Sequence, residues 1–385
     1  MTMRVFSVVF ACLLGAVTAT AQLGPEVPVT TDPAQYPATI RAASHQLTAW
    51  THPETFEVRA LLDGVPLTAG QSHEFATAPV FAAGDDSFLI LWLDPEQRTL
   101  FGRRLAFDGS FLDAAPIAIG PASDRTLNES IAAAAEGSDY LVWWATDRAL
   151  TVSRLKGNTA TRVGEQPWPE GLGTPQIRTV DLPGQTTRVF YGDNRPVPNV
   201  SCDPVSCWNA SFGMITQESG GSIRTTPLLA DAYQAGAVAV VTDGSRFTLL
   251  WWGTRHDWTQ AIFAAQLSLD LELLTPPKVV YEKGDGNWEL PPSLRAACNG
   301  TEIVVAWSSL HAFRAIRLTR DADALDPQPF DFAAAGDPNA PPSVTATDSG
   351  VLFTYAVRDN NVLHAFTRTL DRLPPGRPRQ RAVRH

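Results

Sequence analysis

Lysine is nearly absent. The 385-residue chain has three, Lys156, Lys278 and Lys283, so its 30 basic residues are almost all arginine. Basic charge is also in the minority, against 40 acidic residues and a net charge of −10 at pH 7. A body this acidic is a poor binder of nucleic acid or anionic membranes, because both are held through clustered positive charge. Cysteine is scarce, at four residues, which excludes a small disulfide scaffold. Beyond residue 21 no apolar run reaches the roughly 18 residues that a membrane-crossing helix needs. Catalytic signatures are missing too: no H-E-x-x-H, G-x-S-x-G, G-x-x-x-x-G-K-[ST] or C-x-x-C, and the seven histidines are scattered singly. Asp285-Gly286-Asn287 is a turn, too short for a calcium loop. No catalytic residue, metal site or cofactor is therefore expected. Disorder is excluded as well, since 44% hydrophobic and 18% charged residues are enough for a large core.

The N-terminus carries a targeting pattern. Arg4 supplies a positive charge, Val5 to Val17 is apolar, and Ala19-Thr20-Ala21 is an A-x-A site. Residues 1–21 are expected to be a signal peptide, giving a secreted, periplasmic or cell-envelope protein. Export permits disulfides, and Cys202 and Cys207 share one polar loop where a bond would close a small ring. Cys298 sits in a strand pattern and reads as a buried free thiol.

One unit recurs. Phe88-Leu89-Ile90-Leu91-Trp92 returns as Tyr140-Leu141-Val142-Trp143-Trp144, as Phe247-Thr248-Leu249-Leu250-Trp251 and as Ile303-Val304-Val305-Ala306-Trp307. Weaker copies end at Trp50, Tyr191 and Tyr355, so aromatic anchors recur every 42–60 residues. A strand of small residues precedes each anchor, as in Ser130-Ile131-Ala132-Ala133-Ala134 and Ser293-Leu294-Arg295-Ala296-Ala297. A third strand follows, often ending in Arg-Leu, then an Asp turn and a short fourth strand such as Pro116-Ile117-Ala118-Ile119. Four short strands per unit, without helical periodicity, predict an all-β, seven-bladed β-propeller. Small residues suit the crowded inner strand, and indoles suit the wider second one. The last unit lacks a fourth strand, while Val27-Pro28-Val29-Thr30-Thr31 resembles Ala115-Pro116-Ile117-Ala118-Ile119. That N-terminal strand is expected to complete the seventh blade and hide its edge. The propeller would span residues 22–371, leaving an Arg- and Pro-rich tail, 372–385, expected to be disordered.

The motif Arg104-Leu105, Asp108-Gly109, Leu112-Asp113 resembles the blade repeat of large secreted bacterial propeller proteins, and Arg317 to Asp321 matches it partly. The resemblance covers roughly Thr39 to Asp371. It implies the fold and leaves the activity open, because propellers host many functions.

Chemistry is expected on the face where inner strands begin. Arg41, Arg178 and Arg295 each follow the Ile or Leu of an inner strand; Phe81, Ala132, Ala239 and Thr345 stand there in the other units. Three guanidiniums at one height would attract a carboxylate, sulfate or phosphate. The alternative is that each pairs with an acidic residue on a neighbouring blade. Trp208 and Trp258 lie outside the anchors and offer stacking surfaces, or pack beneath the loop that holds both cysteines. Glu129 and Glu289 precede inner strands. The leading expectation is a monomeric binding module for a protein or glycan. The alternative is a carbohydrate-active enzyme, a glycoside hydrolase or lyase, at the channel mouth. A third possibility is a structural envelope protein.

Overall fold

The computed structural model describes residues 22–73, 77–123, 126, 128–146, 148–168, 175–180, 188–196, 208–217, 222–232, 234–254, 259–283, 293–309, 311–334 and 341–372. They form seven antiparallel four-stranded sheets. The inner strands are Gln35–Ala42, Val80–Ala83, Ile131–Glu136, Gln176–Val180, Gln234–Thr242, Leu294–Cys298 and Ser343–Thr347, in blades one to seven. Each inner strand packs against the inner strand of the next blade, and blade seven returns to blade one. That cycle is a closed propeller. Among the described residues no helix is long and apolar enough to cross a membrane.

The core lies between blades. Leu47, Ala49 and Ala60 of blade one pack with Phe88, Ile90 and Trp92 of blade two. The same arrangement repeats around the ring, as in Leu89 and Leu91 of blade two with Val142 and Trp144 of blade three. All seven anchors are buried, with at most 2% exposure. Two of them show how the indole is seated. Trp92 donates Nε1–H to the Gln71 carbonyl at 3.1 Å, and Trp144 donates to the Pro121 carbonyl at 2.9 Å. Each ring lies on a glycine in the preceding blade's outer strand. A Cβ added to Gly70 would sit 2.3 Å from Trp92, and one on Gly120 would sit 2.6 Å from Trp144. The glycines exist because a flat ring must approach the backbone closely.

Ring closure follows the expected route. Val27–Pro33 pairs antiparallel with Val362–Asp371, with Val27 opposite Thr367. Tyr355 donates its hydroxyl to Glu26 at 2.7 Å, fixing the segment to the seventh blade. Hydroxyls finish the seam inside: Thr39 Oγ1 lies 2.8 Å from Thr48 and 2.7 Å from Thr354, and Thr345 donates to the Thr39 carbonyl.

The Arg-Leu…Leu-Asp motif is a staple. In blade two the Arg104 amide and guanidinium donate to Asp113 at 2.8 and 2.6 Å. In blade six the Arg317 amide and guanidinium donate to Asp326 at 2.9 and 2.5 Å. One carboxylate satisfies both backbone and side chain nine residues away, which pins the turn between the third and fourth strands. The partial match at Arg317 to Asp321 thus extends to Leu325-Asp326, with Ala322 standing where blade two has Gly109.

Candidate functional site

The inner strands all begin on one face, the top, which also carries the turns between second and third strands. Pairing with the anchor strand sets each residue's height. Arg178 stands opposite Phe190 and Arg295 opposite Ala306, each one residue before its anchor. These two are level. Arg41 is not: it stands opposite Gln46, and Ala38 is the level residue in blade one. The expectation of three arginines at one height is therefore corrected. The hairpin turn explains the error. Blade one turns in two residues between Ala42 and His45, whereas blade six uses four between Cys298 and Ile303. Counting from the nearest Ile or Leu slides blade one by three residues and turns the side chain to the other sheet face. The same correction puts Val80 and Ser343 where Phe81 and Thr345 were expected.

Arg178 and Arg295 do not each find a separate acid on a neighbouring blade. They share Glu129. This residue sits in the single helical turn Asn128–Ser130 that leads into blade three. Arg295 of blade six grips both carboxylate oxygens, with NH1 2.9 Å from Oε2. Arg178 of blade four binds Oε2 of the same group. Blade six is not a neighbour of blade three, so the contact spans the top of the channel.

Arg178 is saturated. Its Nε donates to the Val238 carbonyl at 3.1 Å. NH1 donates to the Glu129 and Ile177 carbonyls at 3.1 and 2.9 Å. NH2 donates to the Glu129 carboxylate and to Gln176 Oε1. These acceptors account for all five N–H groups of a guanidinium. Gln176 Oε1 also accepts the Val238 amide at 3.1 Å. One side-chain cluster thus ties the entrances of blades three, four, five and six.

Electrostatics follow from the geometry. Burial pushes the Glu129 carboxyl up, but the charges of Arg295 and Arg178 outweigh it and bring it down to about 2. Burial lowers Arg178, with the Glu129 charge opposing. The cluster carries one net positive charge and a carboxylate ionised throughout the neutral range. A cup of about 230 Å³ opens above it, walled by Tyr36, Pro79, Phe81, Ile131 and Pro341.

On the top rim, His73 Nδ1 lies 2.5 Å from Asp94, whose side chain is fully buried and also accepts the Gln97 amide at 3.1 Å. Asp94 therefore shapes its turn. Cys298 is free, but half-buried rather than buried. Trp208 opens the strand Trp208–Gln217 of blade four. Its side chain, together with Trp258, Glu289, Cys202 and Cys207, lies outside the described residues, as do residues 1–21 and 373–385. Among the described residues no group of three acids, histidines or cysteines could hold a metal. Sequence reasoning named Glu129 only as one of two rim acids. Its role as shared partner has no sequence signal, since Arg295 is 166 residues away.

The fold and site define a class, a seven-bladed β-propeller with a charge-stapled top mouth. No protein-family model and no curated protein sequence matches the chain. Solved structures do. Polysaccharide lyase Uly1 is 8% identical with a TM-score of 0.53, over 91% of this chain and 99% of that one. Hydrazine synthase of Kuenenia stuttgartiensis is 10% identical with a TM-score of 0.54, over 87% and 96%. Virginiamycin B lyase of Staphylococcus aureus is 11% identical with a TM-score of 0.53, over 91% and 100%. At such identities the likeness is one of fold.

Proposed function

We propose that this chain is an exported binding module that takes a protein or glycan partner on its top face and performs no chemistry there. The supporting observation is the locked state of Glu129. An acid–base catalyst needs a group that gives or takes a proton near the working pH. A carboxyl held at about 2 between two guanidiniums does neither readily. The cup above it has proline and aromatic walls, suited to one side chain or one sugar ring. The A-x-A segment at residues 19–21 supports export.

The test pairs a glycan array and a protein pull-down with a panel of chromogenic glycosides and acidic polysaccharides, all on the mature chain. Saturable binding that weakens in Tyr36→Ala, without turnover, supports the reading. Turnover by the unaltered chain would replace it with the glycoside hydrolase or lyase alternative. Failure of every partner in both screens would also count against it.

A further inference from the structure

The other end of the channel is built differently. A polar cavity of about 430 Å³ opens there, lined by Arg41 and Ala42 of blade one, Cys298 and Asn299 of blade six, and Asp348 of blade seven, with Arg372. Ala42, Ala43 and Ala346 line it as well, and their small side chains leave the space open. Arg372 is held across the mouth. Its amide donates to the Ser349 carbonyl at 2.7 Å, and its NH2 to the Asn299 carbonyl at 2.7 Å. It therefore bridges the bottom turns of blades six and seven, next to blade one in the ring. A carbonyl is no anion, so that bond leaves its charge in place; the acid it acts on is Glu302, buried behind Asn299 and outside the cavity lining.

Arg41 contrasts with Arg178. Among the described residues no carboxylate pairs with it, and its buried Nε–H reaches no acceptor. That Nε is closed to solvent, so a ligand would meet the NH1 and NH2 groups instead, which are not buried and which no acceptor among the described residues takes. Against two guanidiniums the cavity sets one carboxylate, Asp348, which is exposed and pairs with neither. The lining thus carries one net positive charge with guanidinium N–H groups to spare. At the top mouth the protein supplied its own carboxylate; at the bottom it supplied none to Arg41.

We infer that the bottom mouth binds a small oxyanion, a carboxylate or sulfate group, clamped between Arg41 and Arg372. A guanidinium presents paired N–H groups that match such an anion. The anion is either free or carried on a single acidic sugar, for which the cavity has room. This inference does not rest on the top-face reading, and each can fail alone.

The experiment titrates sulfate, glucuronate and uncharged glucose into the mature chain at constant ionic strength, read by calorimetry and thermal shift. Saturable binding of sulfate or glucuronate is expected, with glucose silent. Glucuronate binding well above sulfate identifies the sugar acid as the source; equal binding identifies the free anion. Arg41→Gln is expected to weaken the constant by about tenfold or more, and Arg41→Lys by less, since a point charge keeps attraction without the fork. Cys298 supplies a reading independent of variant folding. Its alkylation rate in the unaltered chain, followed on its own peptide by mass spectrometry, should fall as the anion saturates. An unsaturable response, an Arg41→Gln variant that binds as the parent does, or alkylation indifferent to anion would each overturn the inference.

Discussion

Glu129 and Arg295 meet across the top of the channel, from blades three and six, 166 residues apart in the chain. Their pairing is a diametric strut, which Arg178 turns into a three-way tie. Breaking a largely buried pair by removing one partner leaves uncompensated charge. Glu129→Gln is expected to cost about 3–5 kcal/mol. Urea unfolding measures it. The Glu129→Gln/Arg295→Gln double variant should recover part of the loss, because the remaining buried charge is smaller.

The same tie predicts an acid limit. The folded carboxyl lies at about 2, below its ordinary 4.5. Its contribution is therefore full above the ordinary value and is lost as pH falls through the folded one. Melting temperature should drop between pH 4.5 and 2, and Glu129→Gln should show a shallower drop across that window. Equal slopes would mean that Glu129 is not the group responsible.

Seating of the anchor indoles predicts a steric cost. Gly120→Ala places a methyl where Trp144 lies 2.6 Å away, against a ring 1% exposed that also holds the Pro121 carbonyl. Overpacking of this kind costs about 1–3 kcal/mol. The change should appear in chemical denaturation and as altered Trp fluorescence. Gly64→Ala is the control for backbone strain without a clash, since nothing lies near its Cβ position.

Removing the Arg317–Asp326 staple predicts a local effect. Arg317 is 1% exposed, so Asp326→Ala strands a buried guanidinium and should cost about 3–5 kcal/mol. Hydrogen exchange should rise first at the Arg317 and Leu325 amides, which form that turn. A change confined to the channel mouth would contradict the structural role.

Much of the fold was legible because a repeat averages out local ambiguity. Anchors at Trp92, Trp144 and Trp251 mark the same strand each time, and small residues before them mark the inner one. The N-terminal segment was legible for a similar reason: the last unit lacked a strand and Val27–Thr31 supplied its pattern. The candidate site was less legible. Arg178 and Arg295 were named, but Arg41 was misplaced because turn length shifts register without leaving a trace in strand pattern.

The sequence by itself determined the number of blades, the strand order within each and the residues that fill the core. Those follow from short-range periodicity and side-chain size, which act within one hairpin or between adjacent ones. Tertiary structure alone decided that Glu129 faces Arg295, that Arg178 spends every donor on protein, and that Arg41 emerges at the opposite mouth. Such facts depend on where the closed ring brings distant strand ends, and on hairpin lengths that set their heights.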